Sequence, residues 1–249
     1  MTLLAAENLC FGYSRERRIL DDVSLSVEAG DTIGLVGESG SGKTTLLRLL
    51  LGLQRPQSGS IRLNGSPLDP GNAAFMREFR RQVQVVYQDP YSSLDPRQTV
   101  FGIVSEPLRS LRIEGNHRQM SGDALEAVGL GRDVLERYPH QFSGGQRQRI
   151  AIARAIAPGP RLLLADEAVS ALDLTTRVRI VELLRRLSTQ MTLLFVSHDI
   201  GVVASLCKRI IILEKGRIVE AGETRSVLAD PQHPYSQRLL ASVPRLDIR

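Results

Sequence analysis

Residues Gly37, Glu38, Ser39, Gly40, Ser41, Gly42, Lys43, Thr44 and Thr45 form the run G-E-S-G-S-G-K-T-T. The run meets a phosphate-binding pattern: glycine, four intervening residues, glycine, lysine and Ser/Thr. Glycine adopts positive φ without steric cost, so such a loop can turn successive backbone N–H groups into one concave space. A helix starting near Lys43 would add its unpaired N–H groups and the positive end of its dipole. Lys43 then supplies a flexible point charge for β- and γ-phosphates, and the Thr44 hydroxyl is a hard ligand for Mg²⁺. This is the chemistry of a nucleoside triphosphate site.

Three further groups could act on the same substrate. Asp166 and Glu167 close the apolar run 162–165. At the carboxyl end of a parallel strand, Asp166 would hold Mg²⁺ through its water shell. Glu167, one residue further, would orient or deprotonate an attacking water. Taken alone, an Asp-Glu pair is also what an ordinary solvated strand end looks like. Ser143-Gly144-Gly145-Gln146 opens an apolar helix and provides a second anion-binding helix start, although one nucleotide needs only one. By itself it reads equally as a flexible turn. His198 follows the apolar run 192–197, again at a carboxyl strand end where ligands gather.

The elements that must hold these groups are legible in the hydrophobic spacing. Residues 32–36 read as a buried strand feeding the glycine-rich loop, and 43–53 as the helix leaving it. Two strands are expected at 3–10 and 19–27, joined through Tyr13 and a charged turn. A strand at 60–63, a short helix at 74–81 and a strand at 82–87 follow. From 89 to 160 the pattern changes. Apolar residues fall at helical spacing near 103–111, 124–130 and 146–157, as in a helical insertion. The runs 161–166, 192–197 and 209–213 are short and continuously apolar, the pattern of parallel strands buried on both faces. A helix at 175–189 separates the first two, and 214–217 turns the chain into a hairpin.

Composition sets the class. A chain of 249 residues with 42% hydrophobic and 24% charged residues is that of an ordinary globular protein. The net charge of +5 comes from arginine scattered along the chain, with lysine only at 43, 208 and 215. Dispersed arginine reads as a compositional habit rather than a nucleic-acid surface. Cys10 and Cys207 belong to no metal-binding spacing and read as free thiols of a reducing compartment. No run approaches the ~20 apolar residues that cross a bilayer, and residues 1–6 lack the features of a secretory leader.

Together these residues resemble the nucleotide-binding subunit of an ATP-binding-cassette (ABC) transporter over nearly the whole chain. The matching elements stand in that family's order: an A-loop aromatic at Tyr13, the phosphate loop at 37–45 and the Q-loop glutamine at Gln88. Next come the signature Phe142-Ser143-Gly144-Gly145-Gln146, the Walker B pair Asp166 and Glu167, the D-loop from Ser170 to Asp173, and the switch His198. The resemblance implies an α/β fold with a P-loop NTPase (RecA-like) core, an N-terminal antiparallel β part and an inserted α-helical subdomain. The core would comprise 1–88 and 161–229, the helical subdomain 89–160, and a tail 230–249. It implies ATP and Mg²⁺, with Thr44, Gln88 and Asp166 around the metal. Tyr13 would stack on adenine, Glu167 would act as base, and His198 would bond the γ-phosphate. A second ATPase subunit, identical or different, would offer its own Ser143, Gly144, Gly145 and Gln146 across the interface that Asp173 shapes.

A finer resemblance points to the oligopeptide, dipeptide and nickel importer branch. It rests on the run 87–97 around Gln88, on Tyr138-Pro139-His140-Gln141, and on Pro231-Gln232-His233-Pro234-Tyr235. The implied partners are two transmembrane permease subunits and, indirectly, a solute-binding protein, with no nucleic acid. The implied place is the cytoplasmic face of the membrane, peripherally held. Ala168 stands where the family usually has proline after the catalytic glutamate. The chain ends soon after the His-Pro-Tyr element, so no iron–sulfur cluster is expected. The rivals are a soluble ABC ATPase acting on ribosomes or DNA, and the ATPase of an exporter.

Overall fold

The computed structural model describes residues 1–14, 18–89 and 93–241. These fall into two units, 1–70 with 193–249 and 71–192. Three stretches singled out above lie outside the described residues: 15–17 of the charged turn, 90–92 of the Q-loop run, and 242–249 of the tail.

In the first unit, β1 (Thr2–Phe11) and β2 (Leu20–Glu28) pair antiparallel. Val23, Leu25 and Val27 alternate inward, the spacing of a strand with one covered face. β4 (Ser58–Leu63) adds to the other side of β1, and β5 (Ser66–Pro67) to β4. A second set of strands is parallel. β3 (Thr32–Val36) lies between β8 (Thr192–Ser197) and β9 (Arg209–Glu214), and β10 (Arg217–Glu223) returns antiparallel on β9. Ile33, Leu35, Phe195, Val196, Ile210 and Ile212 are almost fully buried, which explains the uninterrupted apolar runs.

The helix leaving the loop, α1 (Lys43–Leu50), stops earlier than its apolar pattern suggests. Gly52 turns left-handed at φ 67, its N–H donates to the Leu49 carbonyl, and the Leu53 N–H donates to that of Arg48. These paired bonds terminate a helix whatever the hydrophobicity beyond them.

The second unit carries β6 (Val83–Val86) parallel to β7 (Leu162–Asp166). Its helices begin with α2 (Ala73–Gln82), whose N-cap Asn72 accepts the Ala74 and Phe75 N–H groups. The stretch 103–111, expected as one helix, is divided. α3 (Val100–Val104) and α4 (Glu106–Ser110) meet at Ser105, and Pro107 in the first turn of α4 has no N–H to continue the ladder. α5 (His117–Ala127) precedes two 3₁₀ turns, Arg132–Glu136 and Pro139–Gln141. α6 (Gly144–Ile156) and α7 (Leu174–Leu187) match their expected spans within two residues.

Three short helices of the first unit have no counterpart in the sequence reading: α8 (Ile200–Leu206), α9 (Thr224–Ala229) and α10 (Pro234–Ala241). Each has too few residues to display a helical period. Both cysteines are free thiols, and burial pushes that of Cys207 up to about 12. Among the described residues no helix is long and apolar enough to cross a membrane.

Candidate functional site

The glycine-rich loop is shaped by what surrounds it. Gly42 sits at φ 109, and a Cβ there would lie 2.8 Å from Leu20 and 3.1 Å from the Ile19 carbonyl. Only glycine satisfies both the torsion and the space. At Gly37 a Cβ would meet the Leu213 carbonyl at 2.3 Å and Ser41 Oγ at 2.7 Å. The loop therefore lies hard against the β9–β10 hairpin, where the Gly216 N–H also donates to the Ser41 carbonyl at 2.9 Å.

Lys43, the first residue of α1, is 6% exposed. Its Nζ donates to the carbonyls of Gly37 at 2.7 Å and Glu38 at 2.9 Å, so the ammonium arches back across the loop. Thr44, next in the helix, is exposed, and Thr45 is buried. Ser41 Oγ is buried without a hydrogen-bond partner, an orphan polar atom inside the loop.

Two other expected residues belong to this unit. The Tyr13 ring is 62% exposed and meets Phe11 edge-on, with centroids 5.1 Å apart. Hydrogen bonds from Gln54, Thr45 and Arg48 hold its hydroxyl below the usual tyrosine range. His198 is exposed just past the end of β8. There Ser197 Oγ accepts the Asp199 N–H at 2.9 Å, and Asp199 caps α8 through the Val202 N–H at 3.2 Å.

In the second unit, Asp166 ends the fully buried β7 with 9% exposure. Glu167 follows in the left-handed region at φ 46, a conformation uncommon for a residue with a side chain. The turn is held by Ser170, whose N–H and hydroxyl both donate to the Glu167 carbonyl at 3.0 Å. Gln88 Nε2 in turn donates to Ser170 Oγ at 3.1 Å, which brings the Q-loop glutamine to the Walker B turn. Ala168, in the proline position, is buried. Asp173 is the N-cap of α7 and accepts the Thr176 N–H at 3.0 Å. Hydrogen bonds from the Thr176 hydroxyl and then from its N–H hold the Asp173 carboxyl below the usual range.

The signature start is a complete capping box. Ser143 Oγ accepts the Gln146 N–H at 3.3 Å, and Gln146 Oε1 accepts the Ser143 N–H at 3.0 Å. Ahead of it, Phe142 is buried under the Arg137 guanidinium, 4.5 Å from the ring centroid. Ser143, Gly145 and Gln146 line a cleft of about 240 Å³ together with Arg149, Thr176 and Arg179. A Cβ on Gly145 would stand 2.4 Å from Thr176 Cγ2. The N–H groups of Gly144 and Gly145 are first-turn donors with no intrahelical partner. A helix start beside two guanidinium groups is suited to a phosphate oxygen.

Each unit carries groups of the kind a magnesium nucleotide takes. In the first, the buried orphan at Ser41 and the glycine-lined cradle suit phosphate, and Thr44 offers a hydroxyl; in the second, Asp166 and Gln88 carry hard oxygen donors of the kind Mg²⁺ takes. Among the described residues no cluster of three or more His, Cys, Asp or Glu could hold a metal by itself.

Sequence reasoning missed Arg149, Arg179 and Tyr235. Arg149 stands three residues after Gln146, on the same helical face, and could have been found from that spacing. Nothing in the sequence signals that the Tyr235 hydroxyl accepts the Glu38 N–H at 2.9 Å.

A buried parallel strand, a glycine-rich loop and a helix opening on lysine define a P-loop nucleotide-binding fold of the α/β class. Residues 20–170 match the ABC transporter family model, and residues 219–249 match that of the oligopeptide/dipeptide transporter C-terminal region. The chain belongs to the ABC transporter family. It is 46% identical over 244 residues to the glutathione import ATP-binding protein GsiA of Salmonella typhimurium, covering 94% of this chain. The chain spans 38% of that relative's length. It is 41% identical over 233 residues to the oligopeptide transport ATP-binding protein OppF of Lactococcus lactis subsp. lactis, covering 92% of this chain and 73% of the relative. Among solved structures, the dimeric post-hydrolysis state of the ATP-binding cassette MJ0796 bound to ADP and Pi superimposes with a TM-score of 0.78 at 29% identity. That likeness covers 90% of this chain and 99% of MJ0796.

Proposed function

We propose that this chain is the ATP-hydrolysing subunit of an ABC importer for small solutes, with short peptides as the solute class. The observation that carries the reading is that the full set of cassette motifs and the peptide-importer C-terminal region occur in one chain. The cassette core comprises 1–88 and 161–229, with 89–160 as the helical subdomain and 230–249 as the tail.

In this reading the phosphate loop wraps the triphosphate with its N–H groups, and Lys43 neutralises the β- and γ-phosphates. Thr44 would hold Mg²⁺ through its hydroxyl and Asp166 would hold it through water, and the ion would supply neutralisation of phosphate charge. Glu167 takes the proton of the attacking water, His198 donates to the γ-phosphate, and Gln88 reports nucleotide occupancy. Tyr13 stacks on adenine, contributing about 1 kcal/mol and little base selectivity. The charge that develops on the γ-phosphate is met by Ser143 and the Gly144 and Gly145 N–H groups of a second cassette. The exposed apolar pair Leu174 and Val178, one helical turn apart beside Asp173, suits burial at that interface. The chain sits peripherally at the cytoplasmic face of the membrane, on two permease subunits fed by a solute-binding protein.

The test is recovery of partners from detergent-solubilised membranes on tagged Glu167→Gln protein with ATP present. Two multi-span permeases are expected, with or without a second ATPase. Ribosomes or DNA-bound proteins alone would remove the importer reading and leave the ATPase standing. Uptake assays with peptides, glutathione and a nickel chelate then decide the solute.

A further inference from the structure

The tail is anchored to the β9–β10 hairpin. Glu220 of β10 accepts the N–H groups of Gln232 at 2.9 Å and His233 at 3.2 Å, just before α10. His233 Nδ1 accepts the Tyr235 N–H at 3.2 Å. One turn along α10, Arg238 pairs with Glu214 of β9 at 3.5 Å, and its guanidinium lies 5.9 Å from the Tyr235 ring centroid. Two carboxylates of one hairpin thus fix the helix that carries Tyr235.

Tyr235 is 3% exposed. Its hydroxyl accepts the Glu38 N–H at 2.9 Å. That N–H belongs to the peptide unit joining Gly37 to Glu38. A trans peptide is planar and its C=O and N–H point in opposite directions. The Gly37 carbonyl of the same unit accepts Lys43 Nζ at 2.7 Å. Tyr235 and Lys43 therefore grip the two ends of one rigid plane. Were that plane to rotate, the carbonyl that seats the ammonium would turn away from it.

We propose that the Tyr235 hydroxyl is a positioning residue for Lys43: by holding the Glu38 N–H it sets the Gly37–Glu38 peptide plane, and through it the place of the ammonium in the phosphate loop. The inference rests on the reading of this loop as the triphosphate site. It gives the His-Pro-Tyr element a part in nucleotide binding, through the 2.9 Å bond from the Glu38 N–H to the Tyr235 hydroxyl. Burial pushes the ionisation of the Tyr235 phenol up, and its oxygen can accept an N–H in either protonation state.

The experiment is a double-mutant cycle on the full chain, read as affinity for the slowly hydrolysed analogue adenylyl imidodiphosphate with Mg²⁺. Tyr235→Phe keeps the ring and removes the hydroxyl; about a three- to tenfold loss of affinity is expected, the range for one neutral hydrogen bond. In the Lys43→Ala background the same change should cost little further affinity, because the group it positions is gone. Gln237→Ala removes the 2.9 Å bond from Gln237 to the Pro231 carbonyl and so loosens the same helix away from the loop. Affinity should be unchanged in that variant, whatever the thermal stability of either tail variant. Wild-type affinity in Tyr235→Phe overturns the proposal, as does an equal loss in both lysine backgrounds, or an equal loss in Gln237→Ala. Wild-type affinity in Lys43→Ala alone would instead remove the phosphate-loop reading beneath it.

Discussion

Gln88 Nε2 and Ser170 Oγ are hydrogen-bonded at 3.1 Å, and the same hydroxyl donates to the Glu167 carbonyl at 3.0 Å. One serine therefore joins the Q-loop glutamine to the turn that carries the proposed base. Glu167 sits at φ 46, so its backbone depends on neighbours that hold it there. Ser170→Ala should lower the turnover number about three- to tenfold and leave ATP affinity unchanged, since the bonds of its hydroxyl go to Gln88 and to the Glu167 carbonyl. Steady-state hydrolysis beside equilibrium nucleotide binding separates the two effects. A change confined to affinity would show that Ser170 acts elsewhere.

Lys43→Ala and Glu167→Gln should fail in different ways. The first removes a charge-assisted partner of the phosphates and should weaken ATP binding by at least about tenfold. The second keeps the loop intact and should bind ATP normally while hydrolysing it about 10²- to 10⁴-fold more slowly. Hydrolysis at the wild-type rate by Glu167→Gln would reassign the base.

Gly145→Ala puts a methyl group 2.4 Å from where Thr176 Cγ2 already stands. The strain should cost about 1–3 kcal/mol of stability and narrow the cleft beside Ser143. Chemical denaturation reads the first, as a lower midpoint at unchanged slope. An unaltered midpoint would mean that α7 yields freely at Thr176.

Tyrosine ionisation followed by ultraviolet absorbance should be spread rather than single. Hydrogen bonds from Gln54, Thr45 and Arg48 shift Tyr13 to lower pH, and burial shifts Tyr235 to higher pH. The folded-state shift at Tyr235 is upward, so its contribution to stability is complete below the ordinary value of about 10 and is lost as pH rises beyond it. Tyr13 has the opposite sign: its contribution is present above about 10 and lost as pH falls through its lowered folded value. Tyr13→Phe should remove the earliest phase and Tyr235→Phe the latest. A single transition that survives both substitutions would contradict these environments.

The parallel strands and the glycine-rich loop were legible because each is local. A run such as 162–165 is apolar at every position because both its faces are covered, and the phosphate loop announces itself by glycine and lysine spacing. What was not legible depends on closure between distant segments. The Tyr235–Glu38 bond spans 197 positions. No window of sequence holds both partners. The break at Ser105 was missed for another reason: Ile103, Val104, Leu108 and Leu111 keep a helical spacing across it, so the hydrophobic period runs through the break. α1 was read too long because Leu51 and Leu53 extend the pattern past the point where Gly52 reverses the backbone.

The reciprocal Ser143–Gln146 bonds have a kinetic meaning as well. A donor array already locked at both ends has little rotational freedom left to surrender when an anion arrives. Closure of a partner over this face would be the docking of two preformed surfaces, with a rate limited by encounter and orientation rather than by the ordering of a loop.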